Sequence, residues 1–373
     1  MKPFRSVFAI VSDCHARTGH YRQLWQRHFY DGIRGVIPGV QTPSDVSFDW
    51  AREGAKASQS AVDAARAACS ERVWTQISAT QKQRGLDAVI SYCFAGDLEP
   101  QVIRETIRLG IPWINFYCDS THRFSEVEAL ARIVSLNWFP EHAAIPSYRE
   151  LGVRYLCAPY ALNPAFLGES SCEQPSHVST FIGLPTANRI TQLGLLRLLG
   201  CRVSIRGHVW MDRSVNPFEN SARKKSDWVS VLFRRGLTEK ILRRGFWPII
   251  RRQAEGALSD EELPVFLREC QIVLGLNQGK DEHGRLASYL KFRDVEFPGY
   301  GCCYLTEHNE DVAASFEVGK EVLTYRSIRE AAQRIKSYSR RPEEARRIGQ
   351  AGRARVLANH VWSARLKQLA ECL

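Results

Sequence analysis

Three residues in the last third of the 373-residue chain are of types that could do chemistry together. Lys291, Arg293 and Glu296 lie in the run Lys291-Phe-Arg-Asp-Val-Glu-Phe297. On a helix, Arg293 and Glu296 stand at i and i+3 and share a face. A cation beside a carboxylate at a helix mouth suits a nucleoside diphosphate. Arg or Lys grips phosphate oxygens, and a carboxylate accepts hydrogen bonds from both ribose hydroxyls. The same spacing suits an ion pair on a solvated helix, so spacing alone leaves both readings open. A second set lies in the N-terminal half. Asp119 follows the apolar run 113–117, and His122 stands three residues on. His15 and His20 sit in the polar loop after the run 7–11. Such groups would take a proton from a hydroxyl or touch phosphate. A loop histidine without duty, or a helix N-cap at Asp119, would look the same.

These residues need elements to hold them. The apolar run 7–11 reads as a buried parallel strand. Further strands are expected at 86–92, 113–117, 133–138 and 154–158, with helices over 51–84, 100–109 and 143–151 between them. This β-α-β rhythm predicts an open parallel sheet with helices on both faces. Pro159, Pro164 and Pro175 with Ser170-Ser171 read as a linker. A second unit follows, with strands expected at 177–183, 201–206, 272–276 and 302–305. Helices are expected over 191–199, from a capping box at Ser259, and over 290–297, 328–339 and 342–358. Ligand sites in such sheets lie where strand C-termini meet helix N-termini.

The formal charge of +11 is concentrated rather than spread. Residues 211–254 hold 11 basic and 4 acidic side chains, a net of +7. Paired arginines there alternate with bulky apolar residues, including Trp228, Phe246 and Trp247. This pattern fits a basic amphipathic element on an anionic membrane surface. It fits equally a helix that packs its apolar face on the protein. A coat for nucleic acid would spread the charge more widely and carry a binding module, so no nucleic-acid partner is expected. The 11 cysteines include no C-x-x-C, which argues against a disulfide framework and for a reducing compartment. No signal peptide and no membrane span is read, and the expected location is cytoplasmic. There is neither a D-x-D nor a cluster of zinc spacing, so no metal ligands are assigned.

The segment Leu276-Asn277, then Arg293…Glu296…Gly301, then Glu307…Asp311 and Gly319-Lys-Glu-Val322 resembles the donor domain of GT-B glycosyltransferases. It is most similar to the CgeB-like group of family-1-type sugar transferases. The closing His360-Val-Trp362-Ser-Ala-Arg365 resembles that group's terminal motif, and Arg189 after Phe181-Ile-Gly183 its domain opening. In the N-terminal half, Leu86-Asp87, Gly110-Ile-Pro112 and Asn115…Asp119…His122-Arg123 look like the same group. The resemblance implies that Glu296 binds the donor ribose, that Arg189 and Arg293 face the diphosphate, and that Asn277 and Gly301 shape the pocket wall. Lys291 and Gly207, which ends a strand, complete the expected donor-binding set. Retaining enzymes of the fold carry an E-x7-E pair. Here no acid stands at that distance before Glu296, and Tyr289 lies seven residues before it.

The expected architecture is therefore α/β, with two Rossmann-like doubly wound domains facing a central cleft. Residues 1–165 would form the acceptor domain and 166–358 the donor domain. The segment 359–373 would be a helix packing back towards the first domain. The expected activity is metal-independent transfer of a hexosyl or related sugar from a nucleotide-sugar co-substrate, with no other cofactor. A glycan or lipid-linked acceptor hydroxyl would receive it, and Asp119, His15 and His122 are the candidate catalytic groups. Basic residues 211–254 would rest on the inner face of the membrane. A nucleotide-sugar epimerase of the same fold, or a non-catalytic sugar-nucleotide or glycan binder, remains open.

Overall fold

A computed structural model describes residues 4–15, 22–49, 58–168, 176–212, 245–259, 261–280 and 286–373. The chain divides into two compact units. One comprises Met1–Phe166, Lys280–Arg285 and Leu357–Leu373, the other Leu167–Gly279 and Leu286–Val356.

The first unit is built on a parallel sheet of β1 (Val7–Val11), β2 (Ala88–Tyr92), β3 (Trp113–Phe116), β4 (Leu136–Phe139) and β5 (Tyr155–Cys157), hydrogen-bonded in that order. All residues of β1 to β4 are buried, as expected of strands covered on both faces. Between β1 and β2 the chain first passes along the far side of β1. There Gln41 bridges Phe8 in parallel, and Gln41 N–H donates to Val7 O at 2.9 Å. The winding direction thus reverses at β1. The 26-residue helix Gln59–Arg84 leads into β2. Its Ser58 cap accepts from Ala61 N–H at 3.4 Å. The final helix, Trp362–Glu371, belongs to this unit. Val361 bridges Leu162, and the buried Trp362 indole donates to His28 O.

The second unit holds a six-stranded sheet. Its strands are β6 (His177–Ile182), β7 (Ser204–Arg206), β8 (Ala254–Glu255), β9 (Cys270–Leu274), β12 (Cys303–Glu307) and β13 (Leu323–Tyr325). Two short strands, β10 (Gly279–Lys280) and β11 (Leu286–Ala287), fall between β9 and β12 in the chain. The sheet order is β13-β12-β9-β6-β7-β8, and every recorded pairing is parallel. The chain builds outward from β6 to β8, then returns to β9 on the other side of β6. The switch point, where ligands bind in doubly wound sheets, lies beyond the C-terminal ends of β6 and β9.

Several boundaries differ from those read in the sequence. The strand expected at 302–305 continues to Glu307, because Glu307 still pairs with Tyr325 of β13, a strand the sequence reading passed over. The helix expected over 290–297 runs over Phe292–Gly299, through Pro298. Tyr300 and Gly301 N–H close its last turn onto Phe297 and Pro298 carbonyls, so the proline sits where the ladder is already ending. The capping box at Ser259 is present: Glu262 N–H donates to Ser259 Oγ at 3.2 Å and Ser259 N–H to Glu262 Oε2 at 2.7 Å.

The expectation that Phe246 lies at a lipid surface is overturned. Phe246 is buried in the core, and its ring occupies the space that a Cβ on Gly194 would need. Trp247 is partly buried beside Trp210, with ring centroids 5.9 Å apart. Trp228 and residues 213–244, the bulk of the basic stretch, lie outside the described residues, as does His20. No helix among the described residues is long and apolar enough to cross a membrane. The ten described cysteines are free thiols.

Candidate functional site

The switch point of the second sheet gathers most of the expected donor-binding residues. The turn after β6 contains Gly183, followed by Thr186, whose side chain caps the helix Ala187–Leu198 by accepting from Arg189 N–H at 3.3 Å. The first turn of that helix carries Arg189. Its Nε donates to Leu276 O at 3.0 Å and its Nη1 to Leu184 O at 3.0 Å. Arg189 thereby ties the loop after β6 to the loop after β9. Its guanidinium also lies over the Phe181 ring, 5.5 Å from the centroid.

Arg293 approaches from the opposite side. It sits in the first turn of the helix Phe292–Gly299, and its Nη1 donates to Ile182 O at 3.0 Å. A Cβ on Gly183 would stand 2.9 Å from Arg293 Nη1 and 3.4 Å from Arg189 Nη1. The two guanidiniums therefore converge on one backbone turn. Among the described residues Arg293 meets no carboxylate at ion-pair distance; its partner is a carbonyl. Gly207, after β7, has φ of 149°, and a Cβ there would come 2.4 Å from Gly183 O. Only glycine lets these two turns touch. The buried Trp210 indole donates to the same Gly183 oxygen at 2.6 Å.

Beneath the two arginines lies a buried polar cluster that the sequence reading missed. Asp294, fully buried, accepts from Asn277 Nδ2 at 2.6 Å, Tyr304 OH at 2.7 Å, Thr306 Oγ1 at 3.1 Å and Lys291 N–H at 2.6 Å. Burial pushes its carboxyl above the usual carboxylate range, opposed first by the Lys291 N–H. Glu307 accepts from the N–H groups of Asn277 and Gln278 and from Gln192, and burial raises it likewise. A sequence signal existed for Asp294. It stands three residues into a helix, where an acid reaches back to the N-cap N–H.

The remaining expected residues divide. Asn277 is brought to the site, but its amide points inward to Asp294 and only its backbone forms the loop. Lys291 places its ammonium 3.7 Å from the Tyr289 ring centroid. Glu296 is buried on the same short helix, which rules out the solvated-helix reading of its spacing. Gly301 does not join the pocket wall. With φ of 84° it makes the turn into the N-terminal end of β12, at the opposite end of that strand from Glu307 and the crevice. The Gly319–Val322 motif is structural as well. Glu321 holds Arg355 Nε at 2.9 Å and the Glu317 N–H at 2.7 Å.

In the first unit, His15 and Asp119 both stand at the C-terminal edge of the sheet, beyond β1 and β3. Their strands are two spacings apart, so the loops are rooted about 10 Å from each other. The Tyr30 hydroxyl accepts from Val11 N–H at 2.7 Å and lies 3.0 Å from His15 Nε2, to which its proton can point. Asp119 has φ of 71°, an uncommon left-handed conformation that asparagine and aspartate tolerate best. Its N–H donates to the fully buried Glu141, and its carbonyl accepts from His122 N–H at 3.2 Å. His122 thus shares one turn with Asp119. No group of three or more His, Cys, Asp or Glu suited to a metal occurs among the described residues.

A doubly wound parallel unit with paired arginines and a capped helix at its switch point, joined to a second parallel α/β unit, defines the class: the fold is that of the GT-B glycosyltransferases. Residues 195–371 match the family described as glycosyl transferase-like. Among solved structures, the chain is similar to sucrose-phosphate synthase from Thermosynechococcus elongatus, with a TM-score of 0.58 at 10% identity over 98% of both chains. It is similar to Anabaena HepE, solved in complex with UDP, with a TM-score of 0.55 at 11% identity over 98% of both chains. A glycosyltransferase from Rickettsia africae gives a TM-score of 0.58 at 9% identity, over 98% of this chain and 97% of that one. No curated protein matches the sequence.

Proposed function

We propose that the chain transfers a sugar from a nucleotide-activated donor to an acceptor hydroxyl, with the donor diphosphate bound at the β6/β9 switch point. One observation carries this reading: two guanidiniums converge on the Gly183 turn beside a helix N-terminus, and among the described residues the hydrogen bond Arg293 makes there goes to a carbonyl. Helix N-termini and arginines both favour phosphate oxygens. As the leaving diphosphate gains charge, fixed cations stabilise it without reorganising. Arg189 and Arg293 would take that role, so the reaction would need no metal and would survive chelator. Glu296 would accept from the ribose. Asp119, His15 or His122 would remove the acceptor proton. The sugar would be a hexose or a relative of one, and the acceptor a cell-surface or lipid-linked glycan. Residues 211–254 would bring the enzyme to an anionic membrane surface, through residues other than Phe246.

UDP is the diphosphate to test first, because HepE is described in complex with it. Calorimetric titration is expected to show UDP binding that Arg293→Ala weakens about 10- to 100-fold, as loss of a hydrogen bond to a charged group costs about 1.5–3 kcal/mol. Equal affinity in the variant would remove Arg293 from the diphosphate. Liposome sedimentation with and without 211–254 tests the membrane reading, which equal binding would end.

A further inference from the structure

The loop that Arg189 grips has a second anchor, on its buried side. Glu307 is the last residue of β12, and its side chain turns back under the loop 275–278. One oxygen, Oε2, accepts from two consecutive backbone N–H groups, Asn277 at 2.5 Å and Gln278 at 2.8 Å. The other, Oε1, accepts from Gln192 Nε2 at 2.8 Å, on the helix that carries Arg189. The loop's carbonyls then face the opposite way. Leu276 O receives Arg189 Nε at 3.0 Å, and Gln278 O receives Asn188 Nδ2 at 3.4 Å. We infer that Glu307 is a positioning residue for the diphosphate site: by holding the Asn277 and Gln278 N–H groups it fixes the Leu276 carbonyl, and through it the Arg189 guanidinium.

This inference rests on the proposed donor site but concerns a residue that would act through another, Arg189. Glu307 is buried, and every partner named here is protein. It works as a double acceptor: one carboxylate oxygen meets two adjacent N–H groups that point into the core. Left unmet there, those groups would turn towards water and take the loop with them. Negative charge is not what the geometry uses. A carboxamide can accept both N–H groups through its single oxygen and present its NH2 to Gln192. Gln192 can then turn its own amide, since its Oε1 has no hydrogen-bond partner among the described residues. The neutral isostere should therefore work and a truncation should not.

The test compares Glu307→Gln and Glu307→Ala in the full chain, with two readouts. UDP affinity by calorimetry is expected to fall at least tenfold in Glu307→Ala and to stay within threefold of wild type in Glu307→Gln. Amide hydrogen exchange, without ligand, is expected to quicken at Asn277 and Gln278 in Glu307→Ala alone. A folded Glu307→Ala with wild-type UDP affinity would overturn the inference, since a merely structural acid lowers the melting temperature and leaves the affinity unmoved. So would Glu307→Gln failing as badly as Glu307→Ala, which would mean that charge does the work. If wild type binds no nucleoside diphosphate, the donor-site reading fails. Exchange at the two amides then decides by itself whether Glu307 holds the loop, and unchanged exchange in Glu307→Ala ends the idea.

Discussion

The C-terminal edges of the two parallel sheets are furnished differently. Beyond β6 and β9, charge is organised in layers: two arginines at the turn, and under them two buried acids tied to backbone N–H groups, hydroxyls and amides. Beyond β1 and β3, the same edge is packed with rings. Tyr92 meets Trp25, Phe116, Phe94 and Tyr117 with centroids between 4.8 and 6.4 Å. The expected catalytic groups there divide between two loops, His15 after β1 and Asp119 with His122 after β3. One topology therefore supports two kinds of site. A parallel sheet fixes where loops emerge, but the side chains beneath decide whether those loops present fixed charge or an apolar wall. A preorganised polar layer suits a ligand whose charge is constant, such as a diphosphate.

The contrast can be broken by mutation. The largest effect is expected where the ring-packed unit closes on its last helix. Trp362 lies edge-on to Phe29 and Trp138, and a Cβ on Gly32 would come 2.2 Å from its indole ring. Trp362→Ala is expected to cost about 3–5 kcal/mol in denaturant titration. A loss below about 1 kcal/mol would show that the final helix is an accessory to that core.

A middle-sized effect separates the units by pH. Burial, aided by Arg27, holds His28 down to about 3. The unfolded chain would protonate His28 near pH 6.5, whereas the folded chain keeps it neutral. Its contribution is therefore present above pH 6.5 and is lost as pH falls towards about 3, at up to about 1.4 kcal/mol per pH unit. Asp294 and Glu307, both raised by burial, act in the opposite sense. Their contribution is present below the ordinary carboxylate values and is lost as pH rises through the raised ones. Stability measured between pH 7.5 and 5.5 should have a shallower acid slope in His28→Asn than in wild type. An unchanged slope would mean that His28 is not the acid-sensitive group.

The smallest effect concerns the turn beside the charged site. Val209 has φ of 62°, a conformation that strains a β-branched residue. It lies between Gly207 and Trp210, which both press on the Gly183 turn. Val209→Gly is expected to stabilise the chain by about 1 kcal/mol, the relief of strain less the added freedom of glycine when unfolded. A lower melting temperature would show that the valine side chain supplies packing worth more than the strain it bears.

Much of this was legible in the sequence. Strands 7–11, 88–92 and 113–116 announced themselves as short apolar runs closed by polar turns, because a strand covered on both faces must be apolar throughout. Arg293 was legible by residue type and by its place at a helix opening, whereas Arg189 was reached only through the resemblance, since the expected helix began at 191 and the observed one begins at Ala187. The role of Gly301 was misread, because a glycine at a turn reads the same from either end of a strand. Phe246 was misread because an amphipathic stripe facing lipid and one facing the protein's own core have the same period. Asp294 and Glu307 were named only in passing: a capping position was readable for Asp294, but nothing local distinguishes a buried acid from a solvated one.

What the sequence determined by itself was the repeating β-α-β plan, the parallel sheets it requires and the residue types able to hold phosphate, for periodicity and residue chemistry are properties of the chain. The tertiary structure alone decided that Gln41 and β2 flank β1, that β7 and β9 flank β6, and which side chains lie beneath the turns. Strand order, burial and the meeting of N–H groups with a distant carboxylate depend on contacts between residues far apart in the chain, 115 positions for Gln192 and Glu307 and 334 for His28 and Trp362, and no local pattern encodes them.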